Sequence, residues 1–454
     1  MPQDKEKRYE EALQWIHGLG RFGIKPGLER MHALLDLLGN PHHSINFVHI
    51  AGTNGKGSTA AILASILKAS GYSVGLYTSP YLLSFTNRMA VNGSDIDHAE
   101  LADLVDLIKP LIDSIVDDPR LGQPTEFEVV TVLALTYFAR CKVDLVVLEA
   151  GLGGRLDATN VVIPLLSIIT NISLEHTEVL GGTIEKIAFE KAGIIKPGVP
   201  LLTAAMNEEA LAVFEKRSLE LNSKLYRVYP PEADIKGQPF PGPTTTALDI
   251  VTEGQYFSYK GFERNFDNLF LPLRGRYQLE NAATALAAVE LLAANGFNCP
   301  DEHLRKGVAE TIWPGRLELL DQEPMLIMDG AHNPAAMKKL AEAVPYFFNY
   351  AKLILVIGIL ADKDTETMLK SILPLADIVI FTRPMINRAA EPDKVAAFAV
   401  KELGFTGDYY VHDQHGAALD QALSLAGPAD AVLVTGSLYT VSDIRAYWVQ
   451  GKAD

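Results

Sequence analysis

The passage from Ile45 to Leu67 limits the folds open to this chain more than any other stretch. Ile45-Asn-Phe-Val-His-Ile50 is apolar enough for a buried strand, and Ala60-Ala-Ile-Leu-Ala-Ser-Ile-Leu67 has the composition of a helix. Between them runs Ala51-Gly-Thr-Asn-Gly-Lys-Gly-Ser-Thr59. Strand, glycine-rich turn, lysine, hydroxyl residues and helix together describe a phosphate cradle. Gly52, Gly55 and Gly57 let backbone amides close around oxygens with no Cβ in the way. Lys56 adds a positive charge, and the helix start adds its dipole. The expected phosphate contacts are Thr53, Asn54, Gly55, Lys56, Gly57, Ser58 and Thr59, with Ser58 or Thr59 offering a hydroxyl to Mg²⁺. The spacing departs from GxxxxGK[ST]: two residues separate Gly52 from Gly55, and Gly57 intervenes between Lys56 and Ser58. That departure predicts a particular subclass of phosphate-loop enzyme.

Apolar strand-like runs alternate with helical segments along the chain, which is the α/β pattern. Phe47–Ala51, Val74–Thr78, Val143–Ala150 and Leu165–Thr170 are nearly continuous apolar runs, as strands buried on both faces of a parallel sheet require. Residues 225–275 are richer in Pro, Gly and Thr and predict a small antiparallel patch. Trp313-Pro-Gly-Arg316 reads as a hinge, after which the rhythm restarts with Met325–Asp329, Leu353–Gly358, Ile378–Phe381, Tyr409–Val411 and Ala431–Thr435. The expected architecture is α/β: a phosphate-loop domain with a mostly parallel sheet over 1–312, then a smaller Rossmann-like α/β domain over 313–454. A chain of 454 residues, 48% of them apolar, can fill two or three such cores.

A net charge of −16 argues against nucleic acid or an acidic membrane as partner. Cys141 and Cys299 form no CxxC pattern, and no apolar run reaches membrane-spanning length. The charged N-terminal segment has no apolar leader-like run, so a soluble cytoplasmic protein is expected.

Several polar signatures fall at the carboxyl ends of the predicted strands, where ligands bind in such sheets. Val143-Asp-Leu-Val-Val-Leu-Glu149 ends in a carboxylate, and Gly151-Leu-Gly-Gly-Arg-Leu-Asp-Ala-Thr-Asn160 follows as a glycine-rich loop. A carboxylate beside a phosphate cradle suits Mg²⁺, which prefers hard oxygen donors; a capping acid in a turn is the alternative. His176 is read as either a metal ligand or a hydrogen-bonded loop histidine. In Thr183-Ile-Glu-Lys-Ile-Ala-Phe-Glu-Lys-Ala-Gly193 the apolar face carries Ile184, Ile187 and Ala188, which turns Lys191 inward and Lys186 outward. An inward lysine is costly unless paired or modified, unless it snorkels at the helix end. Ser79 before Pro80 offers a hydroxyl or starts a turn. Gln278 and Asn281 read from the sequence alone as surface polarity. Met328-Asp-Gly-Ala-His-Asn-Pro334 places Asp329 and His332 at a strand end, and Arg383 and Arg388 are anion contacts or solvated loop residues. Neither GxSxG nor HExxH is present.

Together these motifs resemble the folylpolyglutamate and dihydrofolate synthase family of the Mur ligase superfamily. The matching segments are Ala51–Thr59, Thr78-Ser-Pro80, Glu149 with Gly151–Asn160, His176-Thr177, Glu190-Lys-Ala-Gly-Ile194, Gln278 with Asn281, Pro314-Gly-Arg316, Asp329–Pro334 and Asp362-Lys-Asp364. The resemblance implies ATP-dependent joining of L-glutamate to dihydropteroate or to folates through an acyl phosphate. It implies catalytic roles for Lys56, Lys191 and His332, and nucleotide contacts from Asn281, Arg316 and Asp329. Ser79, Glu149 and His176 match the family's Mg²⁺ ligands, and Lys191 matches its carbamylated lysine; a K⁺ ion is a further expectation. Thr125, Phe127, Glu128, Leu156, Asp157 and Ala158 match a pterin- and folate-binding region, with Glu126 in the usual aromatic place. Gly27-Leu-Glu-Arg30 also matches. Tyr81, Asn87 and Glu175 depart from the family's His, Glu and Asp. The expected protein is a monomer, bifunctional in its pterin substrate. The other readings are a folate extender only, a Mur-type ligase of another substrate, and a nucleotide sensor that has lost ligation.

Overall fold

The computed structural model describes residues 2–22, 26–231 and 242–452. Three sheets organise the chain. The first comprises β1 (Asn46–Ala51), β2 (Val74–Tyr77), β3 (Met89–Val91), β4 (Ser94–Asp95), β5 (Leu145–Glu149), β6 (Leu166–Ile169), β7 (Leu201–Thr203) and β8 (Leu225–Arg227). Their order is β4-β3-β2-β5-β1-β6-β7-β8. β2, β5, β1, β6, β7 and β8 run parallel, and β3 and β4 close one edge antiparallel. Val48, Ile50, Val147 and Ile168 are fully buried, which accounts for the unbroken apolar runs of these strands.

β9 (Thr244–Val251), β10 (Gly254–Lys260) and β11 (Asn265–Leu271) form the antiparallel patch. The part of the sequence expectation covering 232–241 lies outside the described residues. Phe257, Tyr259 and Phe266 of this patch share a core with the helix Arg276–Leu292 and with the helix Lys56–Ala69 behind β1. A separate core on the opposite face of the first sheet holds the helices Pro2–Gly18, Glu29–Leu37, His98–Val116 and Glu126–Cys141.

The third sheet comprises β12 (Glu318–Gln322), β13 (Met325–Met328), β14 (Leu353–Ile357), β15 (Ile378–Phe381), β16 (Asp408–Val411) and β17 (Ala431–Thr435), in the order β12-β13-β17-β14-β15-β16. All neighbours but β12 and β13 pair parallel. Helices cover both faces, in the doubly wound manner expected of the second half of the sequence. Among the described residues no helix is long and apolar enough to cross a membrane.

The phosphate-loop helix is pinned from behind. The helix Asp301–Ala309 crosses Lys56–Ala69 at Gly307, where a Cβ would overlap the Ile66 backbone. Ser65 Oγ donates to the Gly307 carbonyl at 2.6 Å. Gly307→Ala must therefore part the two helices. It is expected to lower stability by ~1–3 kcal/mol as overpacking does. The expected signature is a lower urea midpoint at unchanged m-value; an unchanged midpoint would show that the crossing tolerates a methyl group.

Candidate active site

The carboxyl ends of β1, β2, β5 and β6 open onto one cleft, and those of β13 and β17 face it from the third sheet. The turn after β1 carries Gly52 at φ 147° and Gly55 at φ 84°. A Cβ at Gly52 would overlap Thr170 Oγ1, so only glycine lets β1 turn this tightly beside β6. Gly57 meets the Trp313 ring in the same manner, so Trp313 packs directly on the glycine-rich turn. Lys56 Nζ donates to the carbonyls of Gly52 and Thr53, each at 3.1 Å. Lys191 Nζ reaches the same Gly52 carbonyl at 2.7 Å. Lys191 is 5% exposed, and burial, aided by the charge of Lys56, lowers its pKa to about 7. The inward orientation expected from its helix is the one found, and Lys186 is exposed.

Glu149 ends β5 and is buried; one of its oxygens accepts the Ser79 amide at 3.3 Å. Burial pushes its pKa up to about 7, against the pull of Lys56. His176 opens a one-turn helix, and burial lowers its pKa to about 4 despite the neighbouring Glu175. It is thus held as a neutral imidazole, the form that binds metals. Burial opposes ionisation of Glu175 too, but His332 and Lys56 outweigh it and hold the carboxyl well below the usual range. Among the described residues no group of three His, Cys, Asp or Glu side chains converges as a ready-made metal cage.

Gln278 and Asn281, which the sequence left as surface polarity, are buried. Asn281 Nδ2 donates to Gln278 Oε1 at 2.8 Å, and its amide lies under Gly55. From the third sheet, Asp329 accepts the Leu317 amide at 2.8 Å and the Ala331 amide at 2.9 Å. Burial raises its pKa, and Arg316 opposes the rise. Gln278, Asn281 and Asp329 line one cavity with Gly52–Ser58, Ser79, Glu149, His176, Lys191, Arg316 and His332. Thr59 stands apart: it is wholly buried in its helix, and its hydroxyl has no partner among the described residues.

A second cavity adjoins the first and collects all six residues expected on the pterin side: Thr125, Phe127, Glu128, Leu156, Asp157 and Ala158. Thr125 and Glu128 form a capping box at the start of Glu126–Cys141. Arg30 Nε donates to both Glu128 oxygens, at 2.9 and 3.1 Å, in a pair that is almost fully buried. The Phe127 ring lies against Gly151, where a Cβ would overlap it. Asp157 accepts the amides of Leu152 and Thr159 and so folds the glycine-rich loop. The two cavities share Ser79, Pro80, Gly151, Leu152, His176, His332 and Leu438.

Sequence reasoning passed over Tyr277, Lys339 and Tyr439, which also line these cavities. Tyr439 follows the carboxyl end of β17, so the strand-edge rule could have found it. Tyr277 and Lys339 sit on helices with no comparable signal.

The profile of the Mur ligase middle domain matches residues 50–289, and that of the Mur ligase glutamate ligase domain matches residues 315–438. A dihydrofolate synthase/folylpolyglutamate synthase of Bacillus subtilis is 40% identical over 444 residues, covering 96% of this chain and 98% of that protein. The structure of a folylpolyglutamate synthase from Thermotoga maritima is 36% identical with TM-score 0.83, covering 99% of this chain and 98% of the other. An Escherichia coli FolC structure in complex with DHPP and ADP is 31% identical with TM-score 0.83, covering 98% of each chain.

The buried Arg30–Glu128 pair is expected to act on stability as well as on the second cavity. Arg30→Met leaves an unpaired carboxylate in the core, and a loss of ~3–5 kcal/mol is expected. Arg30→Met combined with Glu128→Met should recover part of it in denaturant melts. Additive losses would show that the two side chains are not coupled.

Proposed function

This chain belongs to the Mur ligase family, among its folylpolyglutamate and dihydrofolate synthases, and we propose on that premise how its two joined cavities divide the reaction. It is an ATP-dependent ligase that adds L-glutamate to a folate-type carboxylate. The observation that carries the division of labour is the shared wall: a phosphate-loop cavity and a largely separate second cavity meet at Ser79, Gly151, His176 and His332.

In our reading the first cavity takes ATP. The amides of Thr53 to Ser58 and the Lys56 ammonium hold the β- and γ-phosphates, while Asn281, Arg316 and Asp329 hold the rest of the nucleotide. The second cavity takes the pterin ring system between Phe127 and the loop Leu156–Ala158, with Thr125 and Glu128 fixing the helix that carries Phe127. The substrate carboxylate then lies at the junction. Its oxygen attacks the γ-phosphorus and ADP departs; the amine of glutamate attacks the acyl carbon and inorganic phosphate departs. Such chemistry is served by positioning, charge neutralisation and exclusion of water. Asp329, Arg316 and His332 come from the second half of the chain, so a boundary near 312/313 would let the site assemble from two domains.

The residues suit Mg²⁺. Ser79 and Glu149 offer hard oxygens, His176 a neutral nitrogen, and phosphates with water would complete the shell, as Mg²⁺ prefers. When bound, the ion supplies charge neutralisation at the phosphates. Lys191 carries a carbamate in our reading: near neutrality its buried amine is partly uncharged, and its Nζ can take up CO₂ with release of a proton. Lys56 Nζ shares the Gly52 carbonyl with Lys191 Nζ, so a carboxylate formed there would have a cation near it. We further propose a monomer, working in the cytoplasm, where free thiols such as those of Cys141 and Cys299 are usual.

Phosphate release with ATP, Mg²⁺ and L-glutamate tests the reading, with dihydropteroate and tetrahydrofolate supplied separately. Turnover with both is expected. Turnover with tetrahydrofolate alone would restrict the enzyme to chain extension and point to Tyr81, Asn87 and Glu126. ATP binding without turnover on either would overturn it. Lys191→Ala is expected to lower kcat about 10²–10³-fold, as loss of a preorganised charge at the phosphates does, while ADP still binds. Full activity in that variant would exclude the carbamate.

A further inference from the structure

We propose that Glu175 is a positioning residue for ligation: its carboxylate, carried by the first sheet, gathers His332, Asn333 and Lys363 from two loops of the third sheet and sets His332 at the junction of the cavities. This inference rests on the ligase reading above.

Glu175 follows β6, on the loop that also brings Asn171 to the phosphate loop, where Asn171 Oδ1 accepts the Asn54 amide at 3.0 Å. A single oxygen, Glu175 Oε1, lies 3.1 Å from His332 Nε2, accepts from Asn333 Nδ2 at 3.1 Å and stands 3.6 Å from Lys363 Nζ. Its side chain is 8% exposed and that of Lys363 is 9% exposed. The other ring nitrogen of His332, Nδ1, lies 2.8 Å from the Gly330 carbonyl. The imidazole is therefore tied at both edges, once within its own loop and once across the cleft. Asn333 extends the tie: Nδ2 also donates to Asn54 Oδ1 at 2.9 Å, and Oδ1 caps the helix Pro334–Phe347 through the Ala336 amide.

A carboxylate this deeply buried is costly unless donors surround it. Three of the donors around Glu175 belong to the third sheet. From the first sheet His176 Nε2 stands farther off, at 3.9 Å, so the close donors arrive when the third sheet sits against the first; the contact favours the assembled site and fixes where His332 points. Side-chain length matters as well: an aspartate would draw the oxygen back by about one C–C bond, ~1.5 Å, out of contact with at least one donor. An amide would keep the reach and lose the charge that Lys363 faces.

The test compares the full-length chain with Glu175→Gln, Glu175→Asp and Glu175→Ala, measuring kcat, the KM of each substrate, ADP affinity by calorimetry, and ligand-free small-angle scattering. A misplacement of about 1 Å in a reacting group costs about 10²-fold, so kcat is expected to fall by that order in Glu175→Ala. The loss should be smaller in Glu175→Asp, with ADP affinity and the KM for ATP within ~2-fold of the parent in every variant. Ligand-free Glu175→Ala is also expected to scatter as a more extended particle. A kcat within ~2-fold of the parent in Glu175→Ala, or a parallel loss of ADP affinity, would overturn the proposal. Should Glu175→Ala fail to fold, the near-isosteric Glu175→Gln carries the same comparison. A parent chain without turnover would defeat the ligase reading itself. In that case an unchanged scattering profile in Glu175→Ala would overturn the link between the sheets, and an extended one would sustain it.

Discussion

Two lysine Nζ atoms converge on one carbonyl oxygen, that of Gly52, and the rest of the site is arranged around that meeting. The carbonyl is presented because β1 turns at a φ that only glycine tolerates beside Thr170. Lys56 reaches it from the start of its own helix, and Lys191 reaches it from a helix far along the chain. Burial weighs most against the charge of Lys191, and the nearby charge of Lys56 adds to that cost. A lysine in that position is primed to give up its charge. Desolvation likewise raises Glu149 and lowers His176, so both give up charge more readily than they would in water. A divalent cation and a polyphosphate entering such a cleft meet groups whose charge they can recruit, with little competing water.

The second constraint is that neither sheet completes the site. The phosphate loop, Glu149 and Lys191 hang from the first sheet, and Arg316, Asp329 and His332 hang from the third or the segment leading to it. Parallel strands direct their carboxyl ends to one edge, and the two edges face each other across the cavity that both line. Trp313 on Gly57 fixes one side of that meeting, and Asn333 on Asn54 fixes the other. The two cavities share a wall because the glycine-rich loop after β5 runs between them. The loop is kept thin there: Gly151 accepts the Phe127 ring on one side, while Asp157 ties the backbone of Leu152 and Thr159.

Much of this was legible in the residues. Continuous apolar strands, their alternation with helices and the glycine-lysine turn determined an α/β fold with a phosphate cradle. The apolar spacing Ile184, Ile187, Ala188 determined that Lys191 points inward, because a helix period does not depend on what lies across from it. The carboxyl-edge rule singled out Glu149, Asp329 and His332. Local sequence could not reveal partnerships made across long chain separations. Gln278 and Asn281 looked like surface polarity and are buried, because whether a helical face meets solvent depends on the sheet packed against it. Thr59 looked as available as Ser58, yet one residue along the helix turns its hydroxyl into the core. Glu128 finds Arg30 only through the packing of two helices, and Glu175 finds His332 and Lys363 only when two sheets are brought together. The sequence by itself thus determined the elements and the chemistry each carries. The tertiary structure alone decided which charges share an oxygen, because burial and distance, which set the cost of every charge here, are properties of packing.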